Sequence, residues 1–295
     1  MAQELTTISP LFSTPYLTVA EYKQSPTAVD VNDLVSNGSA ALNDAELANV
    51  IARASSWMDA HCGQVLAATQ DTESFRARVS RDGFLRLHPR YWPIINVVSA
   101  SFGSAPSMMQ TLDVTTAWLE PMAVVFPVAG NGSRWMGSLQ LPPAYAPNGE
   151  QFVTITYWNG YANTLISASV SAGATSITVA DRTGFVPGQQ FYIYDGATTE
   201  VVKVSSSHVP ATGAGAVGLA AGTTAAHATG LSVSALPPSI KQAAIYMTNV
   251  VLKSRGNSAI VMGGLTPAQV VSQNPAAAND YDMACSALQP FRRVR

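Results

Sequence analysis

The sequence predicts an α+β fold: a small helical bundle with short antiparallel strands, plus an inserted all-β domain, either a small barrel or a sandwich. Three observations predict it. Helically spaced apolar residues before Cys62 give way near residue 73 to strict alternation. From about Leu165 to Ser234 the chain turns to Gly, Ala, Ser and Thr, with Asp181, Arg182, Asp195, Glu200 and Lys203 as its only charges. Helical spacing then returns after Pro237-Pro238. The expected organisation is a core built from 1–164 and 235–295, split by a β-domain at 165–234.

The elements follow in order. Thr18-Val-Ala-Glu21 is a capping-box pattern and opens a short helix that must stop before Pro26. Asn43-Asp-Ala-Glu46 gives a second box. It is followed by Leu47, Val50, Ile51, Ala54, Trp57, Met58 and Cys62 at helical spacing, and Gly63 is placed to end the helix in a left-handed conformation. Leu47, Ile51 and Trp57 are the expected anchors; Trp57→Ala would cost about 3–5 kcal/mol if the ring is fully buried.

Arg76, Arg78 and Ser80 alternate with Phe75, Ala77 and Val79, and Asp82-Gly83 signals a hairpin into Leu85–His88. Ile94–Phe102, Ala117–Glu120, Ala123–Val128 and Gln151–Trp158 read as further strands. Within the insert, strands are expected at Ser176–Ala180, Gln190–Tyr194, Glu200–Val204, Ala216–Leu219 and Leu231–Ser234, with Gly and Asp-Gly turns between them. Pro237-Pro238 then starts a helix whose apolar stripe includes Ile240, Ala243, Ala244, Met247 and Val250. Thr266–Gln269 is a short helix candidate. Asn279 is the expected cap of a terminal helix carrying Tyr281, Ala284, Cys285 and Leu288, which Pro290 closes.

Composition excludes several function classes. The chain is 47% hydrophobic, which excludes wholesale disorder, and only 12% charged, about half the roughly 25% of an ordinary globular chain. A net charge of −2 argues against a free-standing DNA-binding protein. A surface poor in charge is cheap to desolvate, which points to protein partners. Met1–Ile8 lacks the pattern of a signal peptide, and no run of 18 apolar residues exists, so no membrane association is expected. Cys62 and Cys285 are read as free thiols. Asn37-Gly-Ser39 and Asn131-Gly-Ser133 match the glycosylation sequon and are read as turns.

Chemistry is sparse. Gly213-Ala-Gly215-Ala-Val-Gly218 spells a dinucleotide fingerprint, but no helix follows it and no acid occurs between Glu200 and Asp280. None of His61, His88, His208 and His227 stands at zinc-site spacing from another ligand, apart from the adjacent and badly oriented His61-Cys62. No Gly-x-Ser-x-Gly elbow occurs. Neither a catalytic set, nor a metal, nor a cofactor is expected.

Two basic features remain. Arg76, Arg78, Arg81, Arg86 and Arg90 form either a solvated strand face or a surface that meets DNA phosphates or an acidic protein. The ending Phe291-Arg292-Arg293-Val294-Arg295 is either a soluble tail or a docking peptide with an aromatic anchor and charged contacts.

The ordered motifs resemble the head–tail connector (adaptor) proteins of long-tailed bacteriophages. Tyr16-Leu-Thr-Val-Ala-Glu-Tyr22 is similar to the family's opening, Ala48–Cys62 to its first long helix, and Leu85–Ser99 to the strand–proline–strand segment that follows. Phe152-Val-Thr-Ile-Thr-Tyr-Trp-Asn-Gly-Tyr161 resembles the strand that normally leads within a few residues into a Pro-Pro-x-Ile-Lys-Gln-Ala helix. Here that helix begins at Leu236-Pro-Pro-Ser-Ile-Lys-Gln-Ala243, beyond the insert.

The resemblance implies a non-enzymatic virion protein at the head–tail interface, assembled in the host cytoplasm. It implies a homo-oligomeric, typically dodecameric ring beneath the portal protein. The ring would extend the channel for DNA, which passes without sequence specificity, and join the head to a stopper or tail-completion protein. It also implies that Phe291–Arg295 engages the portal. The alternative is a binding module or another connector component, whose β-insert recognises a capsid protein or a glycan.

Overall fold

The computed structural model describes residues 14–32, 34–80, 83–120, 122–127, 150–254 and 275–293. Helices and antiparallel sheets both occur, so the fold is α+β. The compact units do not follow the expected boundaries at 164 and 234. One is Thr69–Gly160, and the other joins Pro10–Ala68 to Tyr161–Arg295. The middle strands thus leave the helices and close a core of their own, while the insert is counted with the helices.

The first unit holds β1 (Thr69–Arg78), β2 (Phe84–Leu87), β3 (Ile94–Gly103), β4 (Met109–Leu112), β5 (Trp118–Glu120), β6 (Ala123–Pro127) and β7 (Glu150–Asn159). They form two sheets, ordered β1-β7-β3-β4 and β2-β6-β5. Alternation fixes the register: Val153, Ile155 and Tyr157 of β7 point inward to meet Leu85, Leu87, Val124 and Phe126 in one buried cluster. The hairpin expected at Asp82-Gly83 forms only in a minimal version, Asp82 itself lying outside the described residues. The chain does reverse there, with the Ser80 N–H donating to the Phe84 carbonyl at 2.8 Å, but pairing stops at the single bridge Val79↔Leu85. The reason is length: β1 finds a partner along all of Thr69–Arg78 in β7, whereas β2 is short and pairs with β6. β4 had no clear sequence signal. A Cβ on Gly103 would lie 1.9 Å from the Met108 carbonyl oxygen, so the close β3–β4 approach requires glycine.

The second unit contains α1 (Val19–Gln24), α2 (Ala40–Cys62), α3 (Pro238–Lys253) and α4 (Pro275–Leu288). The Thr18–Glu21 capping box forms as expected. The second box does not. Ser39 caps α2, and Asn43 lies buried inside it, accepting the Val35 N–H at 2.8 Å and donating to the Asn32 carbonyl. Asparagine side chains readily bond nearby backbone groups, and here Asn43 ties down the preceding loop. Asn37, at φ 54°, turns the chain into the cap, and Gly63 ends the helix at φ 70°. α4 starts at Pro275, ahead of the expected Asn279; proline is tolerated in a first turn, and Ala276, Ala277 and Ala278 are strong helix formers.

Leu47 and Ile51 of α2, Ile240 and Ala243 of α3 and Leu288 of α4 share one core with Tyr16 and Tyr22, and Met247 packs nearby with Ala54, Val250 and Ala284. Segments before and after the insert therefore enclose a single interior. Trp57 is corrected: it is half-buried, stacked on His61 at 4.9 Å and edge-on to Tyr281 at 5.3 Å. Met58 takes the fully buried place instead.

The insert adds β8 (Asn163–Leu165), β9 (Ser176–Val179), β10 (Gln190–Tyr194), β11 (Glu200–Lys203), β12 (Gly215–Gly218) and β13 (Ser232–Ser234). The ladder β11-β10-β13-β8 and the pair β12-β9 are joined by the bridges Ile166↔Val179 and Val204↔Leu219. Followed round, the strands close into a barrel, which removes open edges. Its core is separate from that of the helices and includes Val179, Phe185, Phe191, Ile193, Val217 and Val233.

Candidate functional site

The arginine run is split by the fold. Arg76 and Arg78 share the exposed face of β1, and both approach Glu150 across the sheet, at 3.8 and 3.0 Å. Arg76 also lies 4.3 Å over the Phe152 ring. Exposed pairs of this kind are weak, at about 0–1 kcal/mol, so two guanidinium groups facing one carboxylate leave a mildly positive patch. Arg86 belongs to the other sheet and reaches Glu120 at 3.6 Å and the Ser80 hydroxyl at 2.9 Å. The Arg90 N–H donates to both Glu73 oxygens, at 3.0 and 3.1 Å, and its guanidinium stands 5.5 Å over Tyr91. The expected continuous stripe therefore reduces to Arg76 and Arg78; Arg81 lies outside the described residues.

The carboxyl-terminal segment is bound to its own chain. Phe291 packs against the helical core, with its ring 6.3 Å from Tyr161 and nearly perpendicular to it. Its carbonyl accepts from Gln64 at 3.2 Å, and the Arg293 N–H donates to the Cys62 carbonyl at 2.9 Å, satisfying an end group of α2. Phe291 is thus an internal anchor and not a free one. His61 is held below its ordinary range by burial and by Arg292. Val294 and Arg295 lie outside the described residues, as does the Thr266–Gln269 helix candidate.

Both cysteines are free thiols, Cys62 buried and Cys285 half-buried. Burial pushes the Cys62 thiol up to about 12, which keeps it protonated and unreactive.

Two polar clusters were missed by sequence reasoning. In the first, the Lys241 ammonium is almost wholly buried. It donates to Glu21 at 2.7 Å and to the Ser232 hydroxyl at 3.0 Å, and stands 4.3 Å over the Tyr194 ring. Burial lowers its pKa against the pull of Glu21. This cluster joins α1, α3 and the barrel beside a groove of about 580 Å³ lined by Glu21, Gln24, Tyr194, Thr199, Lys241 and Ile245. With two of its three donors engaged by Glu21 and Ser232, Lys241 joins these elements.

In the second, the His227 ring is fully buried between two carboxylates: Nδ1 lies 2.9 Å from Asp195 and Nε2 2.6 Å from Glu200. The other Glu200 oxygen accepts the Thr224 N–H at 2.8 Å and its hydroxyl at 2.5 Å. Burial opposes charge on the ring, but the Glu200 and Asp195 bonds outweigh it and raise the His227 pKa. Burial likewise opposes charge on Glu200, but Thr224 and His227 bring its carboxyl below the usual range. The available signal was that these residues are charged or titratable in a segment that has almost none.

Among the described residues no group of His, Cys, Asp and Glu could hold a metal ion, and no helix is long and apolar enough to cross a membrane. In comparisons with known proteins, no family model, characterised protein or solved structure matches this chain.

Proposed function

We propose that this protein is a structural, non-enzymatic head–tail connector of the adaptor type, closing with identical copies into a ring under the portal and bridging to stopper or tail proteins. The observation that carries this reading is the shared core of helices on either side of the insert. The helical parts of the resemblance, Tyr16–Tyr22 and Ala48–Cys62 before the insert and Leu236–Ala243 after it, meet in one interior, while its strand segments Leu85–Ser99 and Phe152–Asn159 belong to the strand unit. The charge-poor composition supports it as well, since ring subunits bury surface on both sides and obligate interfaces are more apolar than ordinary surface. In this reading Arg76 and Arg78 face the DNA channel. Negative-stain images of the protein mixed with its portal test the proposal: a collar of added density is expected, and portals without added density contradict it.

The barrel favours a second role within the same protein. It closes on itself and has its own core, as suits a recognition module carried by the connector. Virions whose connector lacks the barrel but still joins heads to tails are the outcome expected of such an accessory.

A further inference from the structure

The pairing at His227 sets a rule on protonation. Each ring nitrogen faces a carboxylate oxygen at hydrogen-bond distance, so both must donate, and only the imidazolium has two N–H groups. A neutral ring keeps one N–H and turns a lone pair toward the other carboxylate, with the ring itself out of solvent. Asp195 is the weaker partner. Its bond is longer, its side chain is 29% exposed against 10% for Glu200, and Glu200 is also held by Thr224.

Asp195 introduces a turn fixed by its own local bonds and tied to the barrel interior through His227. Gly196–Thr198 is a single 3-10 turn with no buried residue, held by local bonds among residues 195–199 and by the bond that the His227 ring donates to Asp195. Gly196 and Thr199 are also walls of the groove that contains Glu21 and Lys241.

We infer that His227 is a proton-operated latch: its imidazolium clamps the 195–199 turn against the barrel, and loss of the proton frees Asp195 and with it that wall of the groove. The charged groups acting on the ring are Asp195, from the turn after β10, and Glu200, from β11. The ring's own segment contributes the uncharged Thr224, and the backbone partner of His227 is Val170. The latch is closed at and below the ordinary histidine value of 6.5 and opens as pH rises through the higher value of the folded protein. This inference does not depend on the connector reading.

The test uses the full chain from pH 6 to 10, following the His227 ring by NMR and the backbone by hydrogen exchange. The ring is expected to keep both protons to a higher pH than an ordinary histidine, with a midpoint above 6.5. Protection factors over 195–200 should fall by about tenfold, the equivalent of one charge-assisted hydrogen bond, along the ring's own titration, while α2 and α3 keep theirs. A midpoint at or below 6.5, or protection that ignores the ring's titration, overturns the inference. His227→Gln should remove the transition. If that variant fails to fold, Asp195→Asn serves: it must move the ring's titration to lower pH, and an unmoved titration contradicts the latch.

Discussion

The Tyr16 hydroxyl donates to Oδ1 of Asp59, and its oxygen in turn accepts the Leu66 and Ala67 N–H groups at 3.0 and 3.3 Å. This pins the segment before α1 to the last turns of α2 and to the chain leaving it. The arrangement leaves Asp59 Oδ2 buried without a partner, and burial raises the Asp59 pKa to about 6.

A folded-state value above the unfolded one means that the native protein binds more protons between about 4 and 6, so this group's contribution falls as pH rises through that window. Asp59→Asn should remove that slope. Relative to the parent chain, the variant should gain on the order of 3 kcal/mol of unfolding free energy between pH 4 and pH 7. Urea titrations at both pH values check it, and equal slopes would contradict the assignment.

Lys241 and Glu21 are a buried pair, with side chains 7% and 12% exposed. Lys241→Met leaves the Glu21 carboxylate uncompensated and should cost about 3–5 kcal/mol. Adding Glu21→Gln should recover part of the loss in thermal unfolding. A silent single substitution would mean that the pair is solvated.

Truncation after Gln289 removes the Phe291–Tyr161 contact and the Arg293 N–H that caps α2. It should lower the unfolding free energy by about 1–3 kcal/mol. Unchanged denaturation midpoints would restore Phe291 as a free docking anchor.

Leu165 and Ser232 are direct register partners in β8 and β13, so the ends of the barrel insertion lie side by side. Deleting Ser167–Ser232 with a short glycine link should preserve the helical circular dichroism, because the helix core is separate from the barrel's. Loss of the helical signal would show that the barrel holds the bundle together.

Arg76→Gln with Arg78→Gln should impair DNA retention in virions if these side chains face the channel. Failure of tail attachment with DNA retained would place them against a protein.

Much of the fold was legible because period and punctuation are local properties. Thr18, Gly63 and Pro237-Pro238 mark helix ends by their own chemistry, and the five strands expected in the insert all form. What failed was competition between distant segments. Asp82-Gly83 signals a turn, but nothing local says that β1 will prefer β7, about seventy residues away. Trp57 sits on the expected face, yet the neighbour that covers it, Tyr281, comes from α4. The His227 cluster joins residues 27 and 32 positions apart, so no spacing rule could find it. Its hint lay in composition: Asp181 and Arg182, also rare charges of the insert, are likewise spent internally, on the backbone around Gly213.

Native mass spectrometry of the protein incubated with its portal tests the connector account most directly. The account predicts one species heavier than the portal by a full ring of 295-residue subunits. A portal mass unchanged at saturating protein, with the chain remaining monomeric, would contradict it.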